Sequence, residues 1–205
     1  MRQPYLVTAA NDTSQEKVLV LLTCRRFGPV VGQSQATCRI EQTIIAHLHP
    51  ATNPESMLAV VGELGFTHVM NMPSYQELRF EGPGTYTSGS PLPTAAGVQP
   101  ATEDPSGFAT ATSWGYRLLG RWAYDNAFSS INLQPRIAWA HDVAGTTPGP
   151  GGNFIEGRKA LSFGLTGVYQ QTWSADIAYT RYMGAGRYNL INDRDFVSFN
   201  IKTSF

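Results

Sequence analysis

From Met57 onward, six long segments alternate apolar and polar residues at period two, and this pattern constrains the fold more than any other feature. Strict alternation marks a β-strand whose two faces meet different surroundings. In Leu58–Met70, Leu58, Val60, Leu64 and Phe66 share a face opposite Glu63 and Thr67. Ala111–Tyr124 sets Trp114, Tyr116, Leu118, Trp122 and Tyr124 against Ser113, Arg117 and Arg121. Ile131–Val143 sets Ile131, Leu133, Ile137 and Trp139 against Asn132, Gln134, Arg136 and Asp142, with Pro135 inside it. Leu161, Phe163, Leu165 and Tyr169 oppose Ser162, Thr166 and Gln170; Ala175, Ile177 and Tyr179 oppose Asp176 and Thr180. The last segment places Val197, Phe199, Ile201 and Phe205 opposite Ser198, Asn200, Lys202 and Ser204. The spacing predicts an all-β antiparallel meander of about six strands, near 58–70, 111–125, 131–142, 160–171, 174–183 and 195–205.

Alternation leaves open which face is the core. A soluble sandwich packs the apolar face inward; a membrane barrel turns it to lipid and lines its lumen with the polar face. Three features favour the barrel. Connections alternate: Asp125–Ser130 and Gln171–Ser174 are tight, whereas Asn71–Thr110, His141–Lys159 and Gly184–Asp195 are long and rich in Gly and Pro. Outer-membrane barrels alternate short periplasmic turns with long outer loops in the same way. Aromatics gather beside the short turns (Trp122, Tyr124 and Phe128; Tyr169 and Trp173; Phe205), as an interfacial girdle requires. The segments are also long enough for the ~9–11 residues of a tilted membrane strand, against ~5–6 in soluble sheets. Pro135 would be awkward in a central soluble strand. A chain end in the periplasm then makes the long loops extracellular.

Composition agrees with either β class and excludes others. Charged residues are 15% of the chain, against ~25% in soluble proteins. Fifteen basic residues balance fifteen acidic ones, so nothing points to nucleic acid. The longest apolar run, Val18–Leu22, is far below the ~18 residues of a membrane helix. Met1-Arg2-Gln3-Pro4 does not open a secretory signal, so an exported protein would have its leader outside this chain.

Residues 1–57 break the pattern and read as a divergent or poorly ordered N-terminal segment. Ile40, Ile44, Ile45 and Leu48 recur at helical spacing, with Pro50 as a stop. Cys24 and Cys38 could pair but show no metal-type spacing.

On the polar face, Glu63, Arg117, Arg121, Arg136, Asp176 and Lys202 fall on one side and are the candidate lumen-lining residues. In a sandwich they would be an ordinary solvated face. Three arginines on adjacent strands could attract an anionic group, or pair with acids, Glu63 and Asp176 first. Other chemistry is thin. His47 and His49 lack a third ligand. His141-Asp142 resembles part of a hydrolase triad, but no nucleophile elbow accompanies it. Asn192-Asp193-Arg194-Asp195 lacks the spaced oxygens of a calcium loop, with Arg194 expected to pair with its neighbours, and Pro148–Gly152 lacks the GK[ST] of a phosphate loop. No catalytic residue, metal or cofactor is expected.

The terminal Val197, Phe199, Ile201 and Phe205 resemble the C-terminal signal that outer-membrane proteins present to their assembly machinery. Ile131–Leu165 and Trp173–Phe205 resemble the end of the proteobacterial family catalogued as domain of unknown function 1302, as do Gly62–Val69, Met72–Gly89 and Phe27-Gly28-Pro29. Arg39–Pro54 does not share the likeness. The resemblance implies that 58–205 is the C-terminal portion of an outer-membrane β-barrel in a Gram-negative bacterium. It would be surrounded by lipid and lipopolysaccharide, and inserted by the barrel-assembly machinery. Some members are associated with hydrophobic compounds, so the expected role is a channel or transport component for hydrophobic or amphipathic compounds. The alternatives are an outer-membrane hydrolase and a soluble β-sandwich binding module.

Overall fold

The computed structural model describes residues 5–9, 17–26, 36–48, 56–149 and 153–204. Nine strands form one sheet in chain order: β1 (Tyr5–Ala9), β2 (Lys17–Arg26), β3 (Ala36–Leu48), β4 (Ser56–Val69), β5 (Thr112–Phe128), β6 (Ile131–Ala144), β7 (Lys159–Tyr169), β8 (Trp173–Met183) and β9 (Phe196–Thr203). Every neighbouring pair is antiparallel. Strands β4–β9 are the six that alternation predicts, with bounds shifted by a few residues. Among the described residues β9 does not pair with β1, so the sheet is an open meander.

The N-terminal segment departs from the helical reading. Ile40, Ile44, Ile45 and Leu48 belong to β3, which pairs with β2 and β4 along most of its length. Ile40, Ile44 and Leu48 also fit period two, with Gln42 and Ala46 between them, and the β-branched Thr37, Thr43 and isoleucines favour a pleated surface. Pairing on both edges then outweighs a short helical periodicity. The register sets Cys24 directly opposite Cys38. His47 lies in β3 while His49 and Phe205 lie outside the described residues.

At one end of the sheet the hairpins are tight. Strand β5 continues to Phe128, leaving Ser129-Ser130 as the turn, and Gln170-Gln171-Thr172 joins β7 to β8, with the Thr172 N–H donating to Tyr169 O at 3.1 Å. Ser129, Ser130, Gln170 and Gln171 have positive φ, the central backbone of a primed turn that matches strand twist. A register shift lies between Tyr124 and Phe128, where the Asn126 N–H donates to the Asn132 side chain at 2.9 Å.

The other end carries the long connections, and these hold most of the buried apolar side chains. Val69, Phe108, Phe154 and Ile155 are buried at this rim, whereas Leu118, Phe163, Leu165, Ile177, Val197 and Phe199 along the strands are exposed. The loops bind one another. Thr110 N–H donates to Thr146 O at 2.9 Å, and Gly149 N–H to Glu81 O at 3.2 Å. Gly84, at φ +76°, lies so close to the next loop that a Cβ would stand 2.7 Å from the Arg187 carbonyl; only glycine fits both constraints. The Glu103 side chain is fully enclosed and accepts from the Arg187 guanidinium, the Thr87 hydroxyl (3.1 Å), the Tyr188 hydroxyl (3.3 Å) and the Tyr86 N–H (3.4 Å).

This latch has a pH dependence. Burial by itself pushes the Glu103 carboxyl up, but the Thr87 hydroxyl, the Tyr86 amide and the Arg187 guanidinium hold it below the ordinary glutamate range. A depressed folded-state value gives stability that is present above the unfolded value, ~4.3, and lost as pH falls through the folded one. The protection factor of the Tyr86 amide (the intrinsic exchange rate divided by the observed one at each pH) is therefore expected to be steady from about pH 7 to 5 and to fall below about pH 4. Glu103→Gln should exchange faster at neutral pH and lose that acid dependence. A wild-type profile flat through acid pH would contradict the latch.

Candidate functional site

Directly opposite residues of antiparallel strands point to the same face. By that rule the register puts Glu63, Arg117, Arg121, Arg136, Asp176 and Lys202 on one side: Glu63 faces Arg117, Arg121 faces Arg136, Asp176 faces Thr166 and Lys202 faces Ser174. They do not form a free positive patch. Arg136 reaches across β7 to Asp176, with Nη1 to Oδ2 at 2.5 Å and Nη2 to Oδ1 at 3.0 Å. Thr166 completes the triad, accepting from Arg136 at 3.0 Å and donating to Asp176 at 2.7 Å. Gly164 supplies the floor, since a Cβ there would meet the Arg136 guanidinium at 2.5 Å. Arg121, directly opposite Arg136, donates to Gln134. Like charges facing each other repel, and Asp176 neutralises one of this pair.

Beyond Glu63 and Arg117 the polar face is roofed by the β6–β7 loop. Gly65 and Gly115 face each other across β4 and β5. The Phe154 ring lies on them, 2.8 Å from a Cβ built at Gly65 and 3.1 Å from one at Gly115. Ser113 and Thr147 hydroxyls bond at 3.0 Å beside it. Below the roof a trough of about 340 Å³ runs along the same face, with Val61, Leu119, Ala138, Ala140 and Ala160 as its apolar wall and Glu63 and Arg117 at its edge. Charge and apolar surface thus stand side by side.

A family model described as Protein of unknown function (DUF1302) matches residues 13–205. The chain belongs to that family. No curated protein and no solved structure matches it. The match runs through β3, so Arg39–Pro54, read from the sequence as outside the likeness, falls within the span of this DUF1302 match.

Other candidate residues of the DUF1302 chain stay apart. His141 stacks edge-on to Tyr116 at 5.6 Å on the apolar face. Asp142 turns to the opposite face, taking the Arg158 Nε–H at 2.7 Å and the Ile155 N–H at 3.1 Å. The two therefore do not form a dyad. Asp195 accepts from the Tyr182 N–H at 2.8 Å and lies 3.9 Å from Arg181, so its cation comes from β8 rather than from Arg194. The antiparallel return of β9 beside β8 brings them together. Among the described residues no three His, Cys, Asp or Glu side chains cluster as metal ligands. Val197, Phe199 and Ile201 lie on the apolar face of β9, each more than 60% exposed. Gly164, the Gly65–Gly115 pair and Phe154 are outside the sequence reading, which places Gln134 on the polar face without its Arg121 partner; glycines among polar-face positions are the available signal.

Proposed function

We propose that this chain forms wall of a transmembrane β-barrel in the outer membrane of a Gram-negative bacterium, and that the barrel passes hydrophobic or amphipathic compounds. The observation that carries the reading is the apolar face of the sheet. Leu118, Phe163, Leu165, Ile177, Val197 and Phe199 stand exposed while burial is concentrated in loops at one rim. A water-soluble sandwich would cover that face; exposed apolar surface of this extent calls for lipid or another partner. Strands β4–β8 have 11–17 residues, enough for a tilted membrane crossing. Their tight hairpins would lie in the periplasm and the interlocked loops outside.

The polar face then lines the lumen. Its trough offers apolar wall beside fixed charges, which suits a molecule with an apolar body and a polar end. Lipid and lipopolysaccharide would surround the barrel, and the terminal Val197, Phe199, Ile201 and Phe205 would address the assembly machinery. The test is membrane behaviour followed by flux. The expected results are a heat-modifiable shift in gel migration, carbonate-resistant membrane association, and uptake of an amphipathic carboxylate dye into reconstituted vesicles. Extraction by carbonate with a single heat-independent band would return the chain to the soluble sandwich. Normal barrel behaviour without flux would remove the transport role alone.

A further inference from the structure

We propose that the loop between β4 and β5 carries a binding site for an acidic saccharide, a hydroxylated ring bearing a carboxylate or phosphate. The site is a cleft of about 370 Å³ lined by Arg79, Glu81, Thr85, Tyr86, Ser88 and Phe108. It is independent of the trough and of whether the sheet closes. The Met72–Gly89 stretch supplies most of it, and nothing in a barrel wall requires those residues.

Arg79 is the first reason. Its guanidinium lies over the Tyr75 ring, 4.3 Å from the centroid, so an aromatic face holds it in place. Among the described residues no carboxylate lies within ion-pair distance of it. The Arg79 Nε and the Tyr75 hydroxyl are both buried without a hydrogen-bond partner. Both atoms are closed off against Gly89, so what Arg79 offers the cleft is the rest of its guanidinium, whose oriented fork matches a carboxylate or phosphate. Gly89 makes room for the arrangement: a Cβ there would stand 2.7 Å from the Tyr75 hydroxyl and 2.9 Å from the Arg79 Nε.

The rest of the lining selects a sugar over a bare anion. Glu81 repels any anion, and only a ligand with ring hydroxyls to donate to it offsets that repulsion. The Thr85 hydroxyl donates to Gly82 O at 2.7 Å and so remains an acceptor; the Ser88 hydroxyl accepts from the Ser90 N–H at 3.1 Å and remains a donor. Tyr86 stands 75% exposed at the rim, an aromatic platform for the apolar face of a pyranose. The Glu103 latch fixes the wall from behind through the Tyr86 amide and the Thr87 hydroxyl.

The test uses the full chain in detergent, titrated with glucuronate, glucose and inorganic phosphate by saturation-transfer NMR. Glucuronate should saturate and bind at least tenfold more tightly than glucose or phosphate. Arg79→Gln should bring glucuronate down to the affinity for glucose. Gly89→Ala should weaken glucuronate with no change of charge, and Tyr86→Ala should weaken both sugars. A wild-type circular dichroism spectrum and urea midpoint for each variant check that it folds. Reconstitution with lipopolysaccharide separates two sources of the ligand. A lipid-borne saccharide would raise the apparent glucuronate Kd at least tenfold, whereas a free solute ligand would leave it unchanged. No saturable glucuronate binding in detergent, equal affinity for glucose and glucuronate, or folded Arg79→Gln and Gly89→Ala variants with wild-type affinity would overturn the proposal.

Discussion

Arginine at Leu165 is expected to prevent stable insertion of the chain into lipid vesicles, while arginine at Ser162 should be tolerated. The two positions are neighbours on β7 but point to opposite faces: Leu165 pairs with Pro135 and Ile177, and Ser162 with Ala138 and Thr180. If the apolar face meets lipid, an arginine at mid-height costs roughly 2–4 kcal/mol, falling to about 0–1 near the interfaces. Each 1.4 kcal/mol is about tenfold in the folded-to-unfolded ratio, so Leu165→Arg should reduce that ratio by roughly 30- to 1000-fold. Tyr169→Arg, beside the tight turn, should cost far less. That depth profile is the diagnostic part. In water the same face is open, with Leu165 42% exposed, and an exposed substitution typically changes stability by no more than about 0.5 kcal/mol. Urea unfolding in vesicles of varied thickness measures it. Equal effects at Leu165, Tyr169 and Ser162 would leave the lipid reading without support.

Much of this sheet was legible because period two is a local signal. The alternating faces of Trp114–Tyr124 and Leu161–Tyr169 are written in neighbouring residues, and the structure pairs them as strands. The helical reading of β3 fails because Ile40, Ile44 and Leu48 satisfy two periods at once, and a short window cannot weigh the hydrogen bonds that β2 and β4 supply from outside it. The loops were harder still. Glu103 and Arg187 are separated by 84 residues, and no spacing rule links them. The polar face shows the same boundary: facing was readable from parity, whereas pairing depends on register across two strand interfaces. That is why the sequence leaves open whether the three arginines attract an anion or pair with acids, and only the register shows that Asp176 holds Arg136.

The hold on Arg136 has the second large consequence. Asp176→Asn should destabilise the folded chain by roughly 1–3 kcal/mol, below the 3–5 kcal/mol of a fully buried pair that loses one partner, because the two side chains are 31% and 23% exposed. The substitution keeps the shape of the side chain and removes its charge, leaving Arg136 directly opposite Arg121 without a counter-ion. Repulsion between facing cations should then add to the loss, and added salt should restore part of it. Arg136→Gln alone should cost less, since it removes one of the facing cations and leaves Asp176 a Thr166 hydroxyl donor at 2.7 Å. Combining the two changes should be milder than their sum, with a coupling energy of about 1 kcal/mol or more. Strict additivity in urea unfolding would mean that the pair contributes little and that the charges simply line the wall. In reconstituted bilayers Asp176→Asn should also shift selectivity toward anions, because it adds net positive charge on the face proposed as the lumen. Loss of stability without a selectivity shift would confine Asp176 to holding the wall together and leave permeation to the residues around the apolar trough.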